Sequence, residues 1–281
     1  MRKIMLLPAA ISLLTIPGVC HGQAEIQRFE LESKSVGVRY SIEVVLPSVP
    51  AGSNAKYPVL YCTDWFVLGD YMKSLPRLMN MGRLTEPFMM VGIWQQGDMN
   101  TWAMGRTRDF TPARPTDEYS RENTFAPAIE LAGGADRFVT FLKSELFPRI
   151  DSEYPSDPAR RGLAGYSLGG LLGVHILTSD PDLFQYYLLG SPSMWWNEYG
   201  LAFEFAKAPA ARIDSIKRIY LSVGADESWE MLKGYGILRD ALHEKGFGEP
   251  RSKAEIIEDA GHVGAMPIAL YNGLRFLFSR E

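Results

Sequence analysis

The chain has 281 residues, 46% hydrophobic and 22% charged, with 29 basic against 33 acidic side chains and a net charge of −4. That balance belongs to a globular protein with a large buried core and excludes disordered and collagen-like chains. The mildly acidic charge argues against a nucleic-acid partner. The first 24 residues, MRKIMLLPAAISLLTIPGVCHGQA, open with Arg2 and Lys3, run apolar from Ile4 to Ile16 and close on the small residues Gly22 and Ala24. This is the pattern of an export signal cleaved after Ala24, which predicts a periplasmic or secreted protein. About 13 apolar residues broken by Pro8 fall short of the ~20 that span a bilayer, so no stable membrane anchor is expected. The bulky Val19 disfavours lipoprotein processing at Cys20. Cleavage removes two of the 29 basic residues and no acid, leaving 27 against 33, or −6. It also leaves Cys62 as the sole cysteine, so no internal disulfide is expected.

Residues 25–281 read as one domain in which strand-like and helix-like runs alternate without repeats or low-complexity linkers. Strands are predicted at 37–48, 57–62, 88–94, 160–166, 183–190, 218–224 and 253–258, and helices near 69–80, 135–147, 168–178, 228–245 and 264–279. Several strands are almost wholly apolar, as in a parallel sheet covered on both faces, and the repeated strand–helix order predicts an open α/β sheet with right-handed crossovers. Cys62 ends the apolar run YPVLYC and reads as a buried strand residue. Residues 95–133 show little periodicity and read as a long functional or covering loop. Within it, Arg106 and Arg108 have two readings: contacts to an anionic substrate, or salt bridges that pin the loop.

Gly165-Tyr166-Ser167-Leu168-Gly169 fits G-x-S-x-G, a pattern that chance supplies readily in a chain with 26 glycines. Its context is more specific, because RRGLAGY before it reads as a strand and LGGLLGVHILT after it as a buried helix. A serine at such a turn needs a histidine to take its proton and usually an acid to orient that histidine. His21 leaves with the export signal. His175 lies eight residues into the following helix, about 12 Å along its axis at 1.5 Å per residue, too far to reach Ser167. His243 falls in the last turn of a helix, where it suits the dipole. His262, in a loop after the final strand, is therefore the candidate base. Asp226 and Glu227 follow a strand in VGADE and are the candidate acids; Ser228 opens the next helix as its cap. An oxyanion needs two backbone N–H donors, assigned to Leu168 and, in the loop after YPVLYC, to Trp65. Asp64 beside it reads as a helix cap or structural anchor. Three mature histidines and one cysteine offer no ligand-spaced cluster, so neither a metal nor an organic cofactor is expected.

Taken together, YPVLYCTDW, RTRDFTP, FLKSELFPRID, LAGYSLGG, GSPSMWWN, VGADE and GHVGAMPIALYNGLRFLF resemble the esterase D-like family of α/β-hydrolases, from about residue 30 to the end. That family includes enterochelin and salmochelin esterases, feruloyl esterases and S-formylglutathione hydrolases. The resemblance implies an α/β-hydrolase fold, with Ser167 as nucleophile, His262 as base and Glu227, three positions after Gly224, as acid. It also places Trp195 and Trp196 beside the substrate pocket, with two readings: stacking on an aromatic acyl group, or at least one of the two rings belonging to the core. Asp64-Trp65 stands where relatives often have Asp-Gly. The function expected is an exported serine carboxylesterase acting on a small-molecule or carbohydrate ester: a siderophore lactone, or a feruloyl or acetyl ester of a sugar. S-formylglutathione, a cytosolic compound, fits an exported protein less well. The alternatives are an acyltransferase with the same triad and a non-catalytic binding module on this fold.

Overall fold

The computed structural model describes residues 25–47, Val49 and residues 55–280. Residues 1–24, read above as an export signal, lie outside the described residues. Eight strands form one sheet: β1 (Ile26–Glu32), β2 (Arg39–Val45), β3 (Tyr57–Cys62), β4 (Met89–Trp94), β5 (Ser156–Tyr166), β6 (Tyr186–Gly190), β7 (Arg218–Gly224) and β8 (Ser252–Ile257). Their spatial order is β1-β2-β4-β3-β5-β6-β7-β8. The first two pairings, β1 with β2 and β2 with β4, are antiparallel, and the other five are parallel. The inner strands β3, β6 and β7 are nearly all buried because helices cover both faces, which is why they carry apolar runs rather than alternation.

The helices are α1 (Trp65–Met72), α2 (Leu75–Met81), α3 (Met99–Phe110), α4 (Glu118–Glu122), α5 (Ala126–Ile129), α6 (Ala135–Phe141), α7 (Phe147–Glu153), α8 (Leu168–Ser179), α9 (Gly200–Lys207), α10 (Trp229–Glu244) and α11 (His262–Leu277). A core built on Phe138, Leu171, Leu172, Phe205 and Leu238 packs α6, α8, α9 and α10 on one face. The other face is covered by α1, α2 and α11 through Trp65, Leu68, Met79, Leu270 and Leu274.

The structure departs from the sequence reading at several elements. Strand β1 was not foreseen: as an edge strand it is mostly exposed, so IQRFELE lacks the apolar run that marks its neighbours. The segment 95–133 is not irregular, since it holds α3, α4 and α5. Asp98 and Asp117 cap α3 and α4 by accepting from the N–H groups of Thr101 and Ser120, but weak amphipathy hid these helices from a periodicity test. Helix 135–147 extends to Glu153 through a π-helical turn at Leu142–Leu146.

Candidate active site

Five loops meet at the carboxyl edge of the sheet, after β3, β5, β6, β7 and β8, which is where open α/β sheets build their sites. At the centre, β5 passes into α8 through Ser167 alone, whose φ of 60° and ψ of −118° lie outside the regions ordinary residues adopt. The flanking residues have no room for side chains. A Cβ on Gly165 would stand 2.1 Å from the Gly169 carbonyl oxygen, and one on Gly169 would stand 2.4 Å from Thr63 Oγ1. The strained turn is held by Ser167 N–H donating to the Gly190 carbonyl (2.9 Å) and by Ser193 N–H donating to the Ser167 carbonyl (3.1 Å). Ser167 Oγ lies 3.2 Å from Ser193 Oγ.

Glu227 follows β7 with its side chain 1% exposed, and its Oε2 accepts from His262 Nδ1 at 2.6 Å. Its other oxygen accepts from the Gly224 N–H (2.8 Å) and from Ser191 Oγ (2.5 Å). Burial works against the charge, but the hydrogen bonds from His262, Ser191 and Gly224 outweigh it and hold the carboxyl below its ordinary range. The ionised acid makes Nδ1 the donor, leaving Nε2 as the basic nitrogen. His262 is not in a loop as the sequence suggested: it is the first residue of α11, after the extended cap Gly261, and the helix runs on through Pro267 to Leu277. Asp226 is exposed and does not reach His262; its backbone N–H donates to the Ala260 carbonyl (3.1 Å).

Trp65 begins α1 and Leu168 begins α8, so both N–H groups belong to the first-turn donors that a helix leaves unpaired. Among the described residues neither has a backbone acceptor. The Trp65 ring itself is buried, packed where any side chain on Gly92 would collide with it. Asp64, in the left-handed region at φ 56°, makes no side-chain cap and instead anchors the 95–133 segment. Its oxygens accept from Arg106 Nε (2.8 Å) and Nη2 (3.1 Å) and from Trp102 Nε1 (2.9 Å). Arg106 therefore brings no unpaired charge to an anionic substrate, although it lines the site; the pinning salt bridge is the geometry observed. Arg108 pairs with buried Asp109 in the same way.

The tryptophans of GSPSMWWN separate. Trp196 is 1% exposed and donates to the Ala113 carbonyl (3.0 Å), so it belongs to the core and cannot stack on a substrate. Trp195 is half-buried, edge-on to Tyr119 with ring centroids 5.6 Å apart. Three cavities open onto Ser167. One of about 340 Å³, between α1 and α11, is lined by Val67, Leu68, Trp102, Val263 and Met266. A second of about 320 Å³ is lined by Tyr119, Asn123, Ser193, Trp195 and Met231, and a third of about 220 Å³ lies between Trp102, Phe125 and Trp195. His262 lines the first two. The sequence reading missed Tyr119, Asn123, Ser193, Val263 and Met266: Tyr119 and Asn123 belong to no motif, while Ser193 within GSPSMWWN and Val263 and Met266 within GHVGAMPIALYNGLRFLF carry no local signal of a pocket position. A larger cavity, about 960 Å³ and rich in arginine, includes Arg160 and Arg218 from the opposite ends of β5 and β7 and is remote from Ser167.

Elsewhere, His175 on α8 pairs with Asp136 (2.7 Å), and His243 lies in the last turn of α10. Cys62 is buried, and burial pushes its thiol well above the ordinary range. Among the described residues no group of three His, Cys, Asp or Glu side chains is placed to hold a metal, and no helix is long and apolar enough to cross a membrane.

A mostly parallel eight-stranded sheet with a serine on a strained strand-to-helix turn defines an α/β-hydrolase fold. Comparison with known proteins makes the assignment specific. Residues 33–233 match the family model described as "Putative esterase". Ferri-bacillibactin esterase BesA of Bacillus subtilis is 29% identical over 282 residues, 93% of this chain and 90% of that protein. An endo-1,4-beta-xylanase/feruloyl esterase of Xylanibacter ruminicola is 28% identical over 247 residues, covering 80% of this chain and 29% of that one. The crystal structure of an IroE-like serine hydrolase from Shewanella oneidensis superposes with a TM-score of 0.77 at 26% identity, over 90% of this chain and 80% of that one. The chain belongs to this esterase family and is a carboxylic ester hydrolase.

Proposed function

We propose that the protein is an exported serine carboxylesterase in which Ser167 is the nucleophile, His262 the general base and acid, and Glu227 the orienting acid. The observation that carries this reading is the buried Glu227–His262 hydrogen bond of 2.6 Å at the sheet edge that holds Ser167, with serine and histidine facing the same cavities. Ser167 Oγ attacks the ester carbonyl as its proton passes to His262 Nε2. The carbonyl oxygen becomes an oxyanion received by the N–H groups of Leu168 and Trp65. The tetrahedral intermediate collapses by breaking the bond to the alcohol oxygen, which leaves with the proton from Nε2. Water then repeats the sequence on the acyl-enzyme and releases the acid and free Ser167.

The substrate class we favour is a siderophore lactone, the class named in the Bacillus relative, with a feruloyl ester as the second reading. Trp195 and the apolar cavity between α1 and α11 suit a bulky aromatic ester better than an acetyl group on a sugar. The export signal read in residues 1–24 fits either substrate. Fluorophosphonate labelling at Ser167, abolished in Ser167→Ala along with turnover of a short nitrophenyl ester, is the expected result. Full turnover by Ser167→Ala defeats the mechanism. Comparing kcat/KM on a catecholate trilactone and a feruloylated sugar then chooses the substrate class.

A further inference from the structure

Tyr166, inside the motif, has had no role so far, and Ser191, after β6, has entered only as a donor to Glu227. Both are buried, at 4% and 0% exposure. Tyr166 OH donates to the backbone carbonyl of His262 at 2.6 Å, and its ring lies against the imidazole with centroids 5.1 Å apart. Ser191 Oγ shares its one proton between that hydroxyl (2.8 Å) and Glu227 Oε1 (2.5 Å). Glu227 Oε2 then returns to His262 through Nδ1 at 2.6 Å. These contacts close a ring that begins and ends on His262, at its backbone and at its imidazole. The ring ties together the ends of β5, β6 and β7 and the start of α11, and it passes through the residue before Ser167.

We propose that Tyr166 and Ser191 are positioning residues that fix the His262 imidazole relative to the Ser167 turn; this rests on the catalytic roles proposed above. The need for them follows from exposure. The imidazole is 41% exposed, so water competes for its ring nitrogens, and one hydrogen bond to Glu227 leaves both the carboxylate and the α11 backbone free to shift. Ser191 and the Gly224 N–H hold the carboxylate from behind, while Tyr166 holds the backbone from which the imidazole projects. Small misplacements of a base cost rate far more than they cost binding.

Tyr166→Phe keeps the ring and removes only the hydroxyl; Ser191→Ala removes the second link. Each is expected to lower kcat on a short nitrophenyl ester about tenfold with KM changed less than about twofold. The double variant is expected to lose little more than the worse single one, because both break one ring. The low-field NMR resonance of the proton on His262 Nδ1 should shift or broaden in both. Tyr71 OH donates to the Pro267 carbonyl further along α11 (2.8 Å), and Tyr71→Phe, which breaks no link of the ring, should keep kcat within about twofold. Wild-type kcat and an unmoved resonance in Tyr166→Phe, or full additivity of the two losses, overturns the proposal. If Ser191→Ala does not fold, Tyr166→Phe alone decides. Ser167→Ala separates the two levels: if it remains active the catalytic reading fails, whereas a normal Tyr166→Phe beside an inactive, unlabelled Ser167→Ala defeats only the positioning role.

Discussion

His262 and His175 form nearly the same pair on paper, an imidazole nitrogen 2.6 Å from Glu227 and 2.7 Å from Asp136. Their surroundings are opposite. Glu227 is 1% exposed and its second oxygen is held by Ser191 and Gly224, whereas Asp136 is 85% exposed on the surface of α6. A surface pair contributes little and is free to break, while a buried carboxylate with every oxygen bonded keeps its charge and its direction. An acid–histidine distance therefore does not by itself distinguish the two pairs; the anchoring of the acid does.

The contrast breaks most sharply at the imidazoles. His262→Ala is expected to lower kcat about 10,000-fold or more, while His175→Ala stays within about twofold, measured with one nitrophenyl ester. Comparable losses would show that α8 carries an unrecognised role. The acids come next: Glu227→Gln should cost roughly a thousandfold in kcat, because the amide cannot stabilise the imidazolium, and Asp136→Asn should cost less than about twofold.

The adjacent tryptophans offer the same test of neighbours with different burial. Trp196→Ala should destabilise the fold by about 3–5 kcal/mol in denaturant titration, and Trp195→Ala should mainly raise KM for aromatic esters. The smallest effect is on acid stability. The folded carboxyl of Glu227 titrates below its ordinary value of 4.5, so its contribution is complete above that pH and is lost as the pH falls through the folded value. Thermal melts below pH 4.5 should thus fall more steeply for the wild type than for Glu227→Gln. Equal slopes would mean that the carboxylate gains nothing on folding.

Much of the site was legible because each part sits beside a local signal. Ser167 lies between glycines at a strand end, His262 remained after the other histidines were set aside, and VGADE follows an apolar strand. Chain position could not choose between Asp226 and Glu227, since adjacent residues leave a turn in different directions and only the fold shows which one meets α11. Arg106 and Trp196 each kept two readings for a related reason. A cation or an aromatic ring near a motif looks like a ligand contact until its own partner, Asp64 or the Ala113 carbonyl, is in view.

The sequence by itself determined the layered α/β order, the strand–serine–helix turn and the residue types available for acyl transfer, because these depend on local patterns of apolar and small residues. Only the tertiary structure decided that Glu227 is the acid at His262, that Asp64 neutralises Arg106 and that Tyr166 and Ser191 close a ring on the histidine. Those contacts join residues 25 to 96 positions apart, and their formation depends on how separate strand ends are brought together.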